Sequence, residues 1–336
     1  MTAGRASVEW ALGADATVQP AAVASARRAE ALALAEAADV VVAVLGDDSR
    51  SCAEWGDRDS LDLPGDQHAL LTALAAGGTP VVLVLVGGRT VTFGEGNAVL
   101  ANLSAVFSAF RPGQMGGLGI AHLITGAANP SGRLAQSWVR GAGQAMSGAA
   151  PFLQQRVGKW LMNNRSKPEP DGRVYDPYSG DGTSSGVGSR SGTPLFHFGH
   201  GLSYTSFEMS NLRLSTGSNA PGTDGSRQPA AALTVQVDVA NTGGLAGATV
   251  VQVYTIDPVG EYVRPWKRLL AFARVELAPA AKRTVSIPVS AAQFAMQDDS
   301  SPAGVWRAVS GEYEVRVGNS SVTDLLVDTV AMQFRE

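Results

Sequence analysis

The chain has 336 residues, of which 45% are hydrophobic and 17% charged, a balance typical of globular protein and a length suited to two domains. A formal net charge of −4 argues against nucleic acid or an anionic membrane as partner, because both require clustered Lys and Arg. Cys52 is the single cysteine, which excludes an intrachain disulfide and a cysteine-rich zinc site.

The N-terminal MTAGRASVEW has no apolar core of signal-peptide length, and the apolar run from Pro80 to Val86 is too short to span a bilayer. Residues 21–38 are rich in Ala with interleaved Arg and Glu, strong helix formers, and predict a helix. Val40 to Leu45 (VVVAVL) follows, a short β-branched run of the kind buried on both faces of a parallel sheet. A polar loop spans Gly46 to Asp62, and helical spacing returns from Pro64 to Ala76. Thr79 to Val86 predicts a second strand, closed by Gly87 and Gly88. Ala105 to Phe110 predicts a third, and Met115 to Ile124 a helix. Asn129 to Gly132 supplies a turn. This alternation implies an α/β/α three-layer sandwich, incomplete and with a mostly parallel sheet, over residues 1–150. Ligands in such sheets tend to lie at the carboxyl ends of the strands, where the loop after Leu45 begins.

Composition shifts near Gly141, and residues 163–193 are dense in Gly, Ser, Asp, Pro and Asn. Such a stretch buries too little apolar surface to offset its ordering entropy, so 151–193 reads as a partly disordered linker or insertion. Beyond Phe207 the period changes to two. Strands are predicted at 233–240, 249–255, 269–277, 283–289 and 311–317, with turn signals between them, which indicates an antiparallel β-sandwich over 194–336.

The densest polar segment is Gly46 to Gln67, with seven carboxylates (Asp47, Asp48, Glu54, Asp57, Asp59, Asp62, Asp66) and two arginines (Arg50, Arg58) directly after a strand. Crowded carboxylates beside arginines can be driven apart in acidity, as acid/base chemistry requires. By spacing alone the favoured reading is an acidic surface loop that caps the next helix. Trp55 fits either a flat apolar contact face or a loop anchor. Asp57 and Arg58 fit either exposed hydrogen-bonding groups or a loop-shaping ion pair. The four histidines (His68, His122, His197, His200) have no metal-ligand spacing and read as structural. Glu95 is a short-loop carboxylate with no partner in view, and no phosphate-binding glycine motif occurs. Phe196 to Tyr204 reads as an aromatic joint between domains. Tyr254, Trp266, Phe272, Trp306 and Tyr313 read as core or interdomain residues.

A strand ending in Gly46, then Glu54, then Asp57-Arg58-x-x-Leu61-x-Leu63-Pro64-Gly65-x-Gln67 resembles the acid/base loop of family 3 glycoside hydrolases. Similar landmarks follow in order: PVVLVLVGGR at Pro80, F-x-P-G-Q-x-G-G at Phe110, NPSGRL at Asn129 and PLFHFGHGLSYTSF at Pro194. NTG at Asn241, VVQVY at Val250 and RPWKRLLAF at Arg264 resemble the fibronectin type III-like domain of many β-glucosidases. The likeness runs from about Ala38 to Gly318. It implies a retaining, exo-acting β-glycosidase of β-glucosidase type, or alternatively a β-xylosidase or α-arabinosidase. A non-catalytic carbohydrate-associated module is the alternative from another class. The position matching the family's general acid/base is Glu54, in E-W-G-D-R where E-G-Y-D-R is usual, with Asp47 or Asp48 as fallback. Trp55, Asp57 and Arg58 stand as substrate-binding positions.

The family's nucleophile is an aspartate on an N-terminal (β/α)8 barrel of roughly 250 residues, for which these 336 leave no room. The expectation is therefore a fragment that contributes the acid/base but not the nucleophile, inactive by itself and partnered by such a barrel. No metal or other cofactor is implied by a two-carboxylate mechanism. The compartment is not written in these residues, and the resemblance is compatible with a secreted or periplasmic one.

Overall fold

The computed structural model describes residues 6–54, 58–142, 194–217, 231–257, 267–298, 305–322 and 326–334. The predicted linker therefore lies outside the described residues, as do Trp55, Asp57 and Trp266. The chain divides into two compact units. One holds the residues to 125 together with 139–143, and the other holds 126–138 with the remainder.

The first unit is α/β. Helix α1 (Ala21–Ala37) precedes β1 (Val41–Gly46), α2 (Gln67–Ala76), β2 (Val81–Val86), a 3-10 helix (Glu95–Asn102), β3 (Ala105–Phe110) and α3 (Gly116–Ile124). The strands form a parallel sheet in the order β1-β2-β3. Its register brings Ala43 beside Leu83 and Leu45 beside Leu85, with α2 packed on β1 and α1 packed on α2. Leu70, Leu71 and Leu74 of α2 are buried there together with Leu83 and Leu85. Each such side chain contributes about 1.5–3 kcal/mol by leaving water. The helix begins at Gln67 rather than at Pro64, because Pro64 and Gly65 form the turn that precedes it. Glu95 opens the 3-10 helix instead of sitting in an irregular loop.

One expectation fails. Strand β1 is not buried on both faces: Val42 and Val44 are exposed, while Ala43 and Leu45 are covered. Of the described strands only β2 pairs with β1, and α2 covers just the face that carries Ala43 and Leu45. A continuous apolar run predicts two buried faces only where layers exist on both sides.

The second unit is an antiparallel sandwich of β4 (Phe207–Thr216), β5 (Ala231–Asn241), β6 (Gly247–Ile256), β7 (Arg268–Leu277), β8 (Lys282–Ser290), β11 (Gly311–Gly318) and β12 (Leu326–Met332). A two-stranded ribbon of β9 (Met296–Asp298) and β10 (Val305–Arg307) adds to it. One sheet has the order β12-β11-β6-β7 and the other β4-β5-β8. Alternation fills the space between them with Val235, Val237 and Val239 from β5, Ile287 and Val289 from β8, Val251 and Val253 from β6, and Val315 and Val317 from β11. Tyr313 is buried in this core and donates its hydroxyl to the carbonyl of Val309 at 2.6 Å, the backward bond of a tyrosine corner.

Strand β6 is buried on its other face too, because the segment from Pro194 to Thr205 lies over it. Gln252 donates to the carbonyls of Gly199 at 3.1 Å and Asn319 at 2.7 Å, and Phe198 meets the Tyr254 ring edge-on at 6.4 Å. Gly199 has φ +79°, and a Cβ there would stand 2.1 Å from Oε1 of Gln252, so only glycine fits. The Phe/Gly cluster thus packs within the second unit rather than reading simply as a joint. Asn129 ties the same segment down, accepting from the Ser203 hydroxyl at 2.8 Å and the Tyr204 amide at 3.0 Å. Among the sandwich aromatics, Tyr254 and Tyr313 are buried as predicted. Phe272 and Trp306 are 66% and 68% exposed. Neither is a core residue, because Phe272 points outward on an edge strand and Trp306 sits on the small ribbon outside both sheets.

Candidate active site

The loop that leaves β1 is fixed at its root. Gly46 has φ +138°, and a Cβ there would lie 2.0 Å from the carbonyl oxygen of Val86, so a side chain would force the strands apart. The buried amide of Gln67, at the start of α2, then grips both polar groups of Gly46. Its Oε1 accepts from the Gly46 N–H at 2.6 Å and its Nε2 donates to the Gly46 carbonyl at 2.8 Å. One side chain thereby satisfies a strand end for which the described residues provide no further strand on that side.

Asp47 follows with a fully buried side chain. Its Oδ1 accepts from Nη1 of Arg58 at 3.5 Å and from the Ser51 hydroxyl at 3.4 Å, and its Oδ2 faces Nε of Arg89 at 3.5 Å. A buried carboxylate beside two guanidiniums organises the loop, since a charge taken from water must be matched by opposite charge. Enclosure removes Asp47 as a fallback proton donor, because no substrate oxygen can reach it.

Asp48 begins a tight turn. The Ser51 amide donates to its Oδ1 at 2.9 Å, and Arg50 donates through its backbone amide at 2.9 Å and through Nε at 2.7 Å. These contacts, the Ser51 amide first, pull its pKa down to about 2. Arg50 reaches on to Asp15 at 2.9 Å. Two further arginines hold the outer part of the loop by its backbone. Arg89, just past β2, donates to the Ser51 carbonyl at 3.2 Å, and Arg111, just past β3, donates to the Cys52 carbonyl at 3.1 Å. Arg89 and then Arg111 also pull the Cys52 thiol below the ordinary cysteine value, against desolvation and the opposing charge of Asp47. Glu54 follows two residues later with its side chain exposed to solvent.

The returning half of the loop is held as firmly. Arg58 is committed to Asp47 and, through Nη2, to the Asp62 carbonyl at 2.6 Å. The Asp62 carboxylate accepts from the Thr92 hydroxyl at 2.5 Å and the Gly94 amide at 3.1 Å, and the Thr92 bond is the main cause of its lowered pKa. Leu63 is buried, and Gly65 turns the chain at φ +60°, where a Cβ would meet the Asp15 carbonyl at 2.2 Å. An open cavity of about 230 Å³ lies here, with Thr17, Arg50, Ser51, Arg58 and Pro64 in its wall.

The chain's model matches carry the rest. Residues 3–204 match the glycosyl hydrolase family 3 C-terminal domain, and residues 249–321 match a fibronectin type III-like domain. The chain belongs to glycosyl hydrolase family 3. It is 35% identical to a periplasmic β-glucosidase of Salmonella typhimurium over 261 residues, covering 77% of this chain and 30% of that one. It is 32% identical to a β-xylosidase of Formosa agariphila, covering 88% of this chain and 36% of that one. Among solved structures, a β-glucosidase from Erythrobacter marinus superposes with a TM-score of 0.71 at 33% identity, over 92% of this chain and 36% of that one. The chain thus spans about a third of the length of the curated relatives it matches.

Of the four residues singled out in the sequence, Glu54 and Arg58 are described, and they sit on one loop: Glu54 open to solvent, Arg58 turned inward. Sequence reasoning missed Gln67, Arg89 and Arg111 as loop supports. Two of them carried a readable signal, since each is an arginine placed just beyond the carboxyl end of a buried strand.

Proposed function

We propose that this chain supplies the general acid/base of a retaining, exo-acting β-glycosidase that removes terminal β-D-glucosyl residues, and that Glu54 is that group. The observation that carries the reading is an exposed carboxylate on a loop anchored at the carboxyl end of a parallel strand, within the motif that the family uses. In the first step Glu54, as the carboxylic acid, gives its proton to the glycosidic oxygen as the bond to the anomeric carbon breaks. A nucleophilic aspartate about 5–5.5 Å away bonds that carbon from the other face. In the second step water attacks the glycosyl–enzyme ester, and the Glu54 carboxylate takes the proton. The nucleophile belongs to a (β/α)8 barrel outside these 336 residues, which makes that barrel the functional partner.

Trp55 and Asp57 are the further substrate-binding positions in this reading. Arg58 serves it indirectly, since its guanidinium is already bonded to Asp47 and Asp62. The likeness to a β-xylosidase supports a second reading, with pentosides as substrate and the same acid/base. The test is a chromogenic aryl β-glucoside offered to the chain with and without a family 3 barrel. Turnover is expected with the barrel and lost in Glu54→Gln. Turnover by the chain without a barrel, or full turnover by Glu54→Gln in the assembly, would overturn the proposal.

A further inference from the structure

Three charged groups converge on the loop segment just before Glu54, one from the end of each parallel strand: Asp47 after β1, Arg89 after β2 and Arg111 after β3. We infer that Arg89 and Arg111 are positioning residues that fix the Glu54 loop by clamping the carbonyls of Ser51 and Cys52, an inference that rests on the reading of Glu54 as the acid/base. The two bonds, at 3.2 and 3.1 Å, fall on consecutive peptide units and come from different strands, so they restrain both translation and twist of the segment. Asp47, buried, holds Arg89 in place from below. Gly88 leaves the room for this: a Cβ there would stand 3.2 Å from Nε of Arg111 and 3.7 Å from Sγ of Cys52.

A general acid works within hydrogen-bond reach of the leaving oxygen, and displacement by about 1 Å can cost on the order of 100-fold in rate. A loop of this composition, with Ser51 and Cys52 half-buried and no fully buried apolar side chain between Asp48 and Glu54, has little apolar packing to hold it. The arginine bonds provide what packing does not. The same two guanidiniums face the thiol of Cys52, with Asp47 as the opposing charge, so the thiol reports on the clamp.

Cys52 is the single thiol of the chain, so iodoacetamide reacts at one site, and its rate against pH can be followed by mass spectrometry on the full chain. The parent is expected to alkylate with a half-maximal pH below that of a free cysteine. Arg111→Gln is expected to slow alkylation at pH 7 by about threefold or more, since thiolate is the reacting form. It is also expected to raise the rate of cleavage after Glu54 by a glutamate-specific protease by about tenfold. Arg111→Lys, which keeps the charge and a donor, should restore most of both. An ordinary thiol profile in the parent would overturn the inference, even if the glutamine variant failed to fold. An unchanged profile and cleavage rate in a folded Arg111→Gln would do the same. Both readouts need no turnover, so failure of Glu54 as acid/base would show separately, as retained activity of Glu54→Gln in the barrel-supplemented assay.

Discussion

Replacing Gln67 by Leu removes two hydrogen bonds with little change of volume. The Gly46 amide and carbonyl then lose partners at 2.6 and 2.8 Å, at a strand end that is half-buried. A buried polar group left without a partner costs about 1–3 kcal/mol, and partial access of water brings each Gly46 group to the low end. The sum is about 2 kcal/mol in the first unit. Because the chain has two units, a single global transition is the wrong observable, and hydrogen exchange of the β1 and β2 amides is the right one. About 2 kcal/mol corresponds to exchange faster by roughly 30-fold there, with the sandwich amides unchanged. Gln67→Glu adds a check on sign. As a carboxylate it can accept from the Gly46 amide but opposes the Gly46 carbonyl, whereas the protonated form donates to that carbonyl. Burial therefore favours the neutral form and raises the folded-state value above the unfolded value of about 4.3. The variant should be most stable below that value and weaken as pH rises through the folded one. Exchange in Gln67→Leu within threefold of the parent would refute the clamp.

Two other outcomes follow from the geometry. Tyr313→Phe deletes the hydroxyl bond to Val309 but keeps the ring in the core, and should cost about 1–2 kcal/mol in urea denaturation followed by a sandwich probe, whereas Tyr313→Ala should cost about 3–5 kcal/mol. The Asp48 carboxyl should titrate by carbon NMR with a midpoint near about 2. Its contacts are favourable to folding above the unfolded value of about 3.9 and are lost as pH falls through the folded one, so the turn should loosen between about pH 4 and pH 2 and not between 7 and 5.

Periodicity made both layers of this fold readable. The three apolar runs at 40–45, 79–86 and 105–110 became β1, β2 and β3, and alternation such as LTVQVDVA became the central strand of a sandwich sheet. Strands β4 and β12 escaped a specific prediction because their alternation is mixed with polar and small residues, and they sit at sheet edges where side chains such as Met209, Leu214 and Val330 are only partly buried against the core. The exposure of Val42 and Val44 was unreadable for a different reason: a run of valines states a preference for burial, not which layers are present to provide it. In the loop, chemistry was legible as residue types but not as contacts. Asp47 and Glu54 look alike in sequence. Only the fold distinguishes a carboxylate enclosed by Arg58 and Arg89 from one open to solvent. Gln67 closes a motif in the sequence, yet its role depends on a backbone 21 residues earlier.

The central claim is tested most directly by leaving-group dependence in the barrel-supplemented assembly. A good leaving group such as dinitrophenolate departs without a proton, whereas an alkyl alcohol does not, and azide attacks the glycosyl–enzyme without needing a base. Glu54→Gln should therefore lose about 100- to 10,000-fold in kcat/KM on alkyl β-glucosides and far less on the dinitrophenyl glucoside, with azide restoring turnover and releasing a β-glucosyl azide. Equal losses on both substrates with no azide product, or no loss on either, would contradict the assignment of Glu54 as the proton donor.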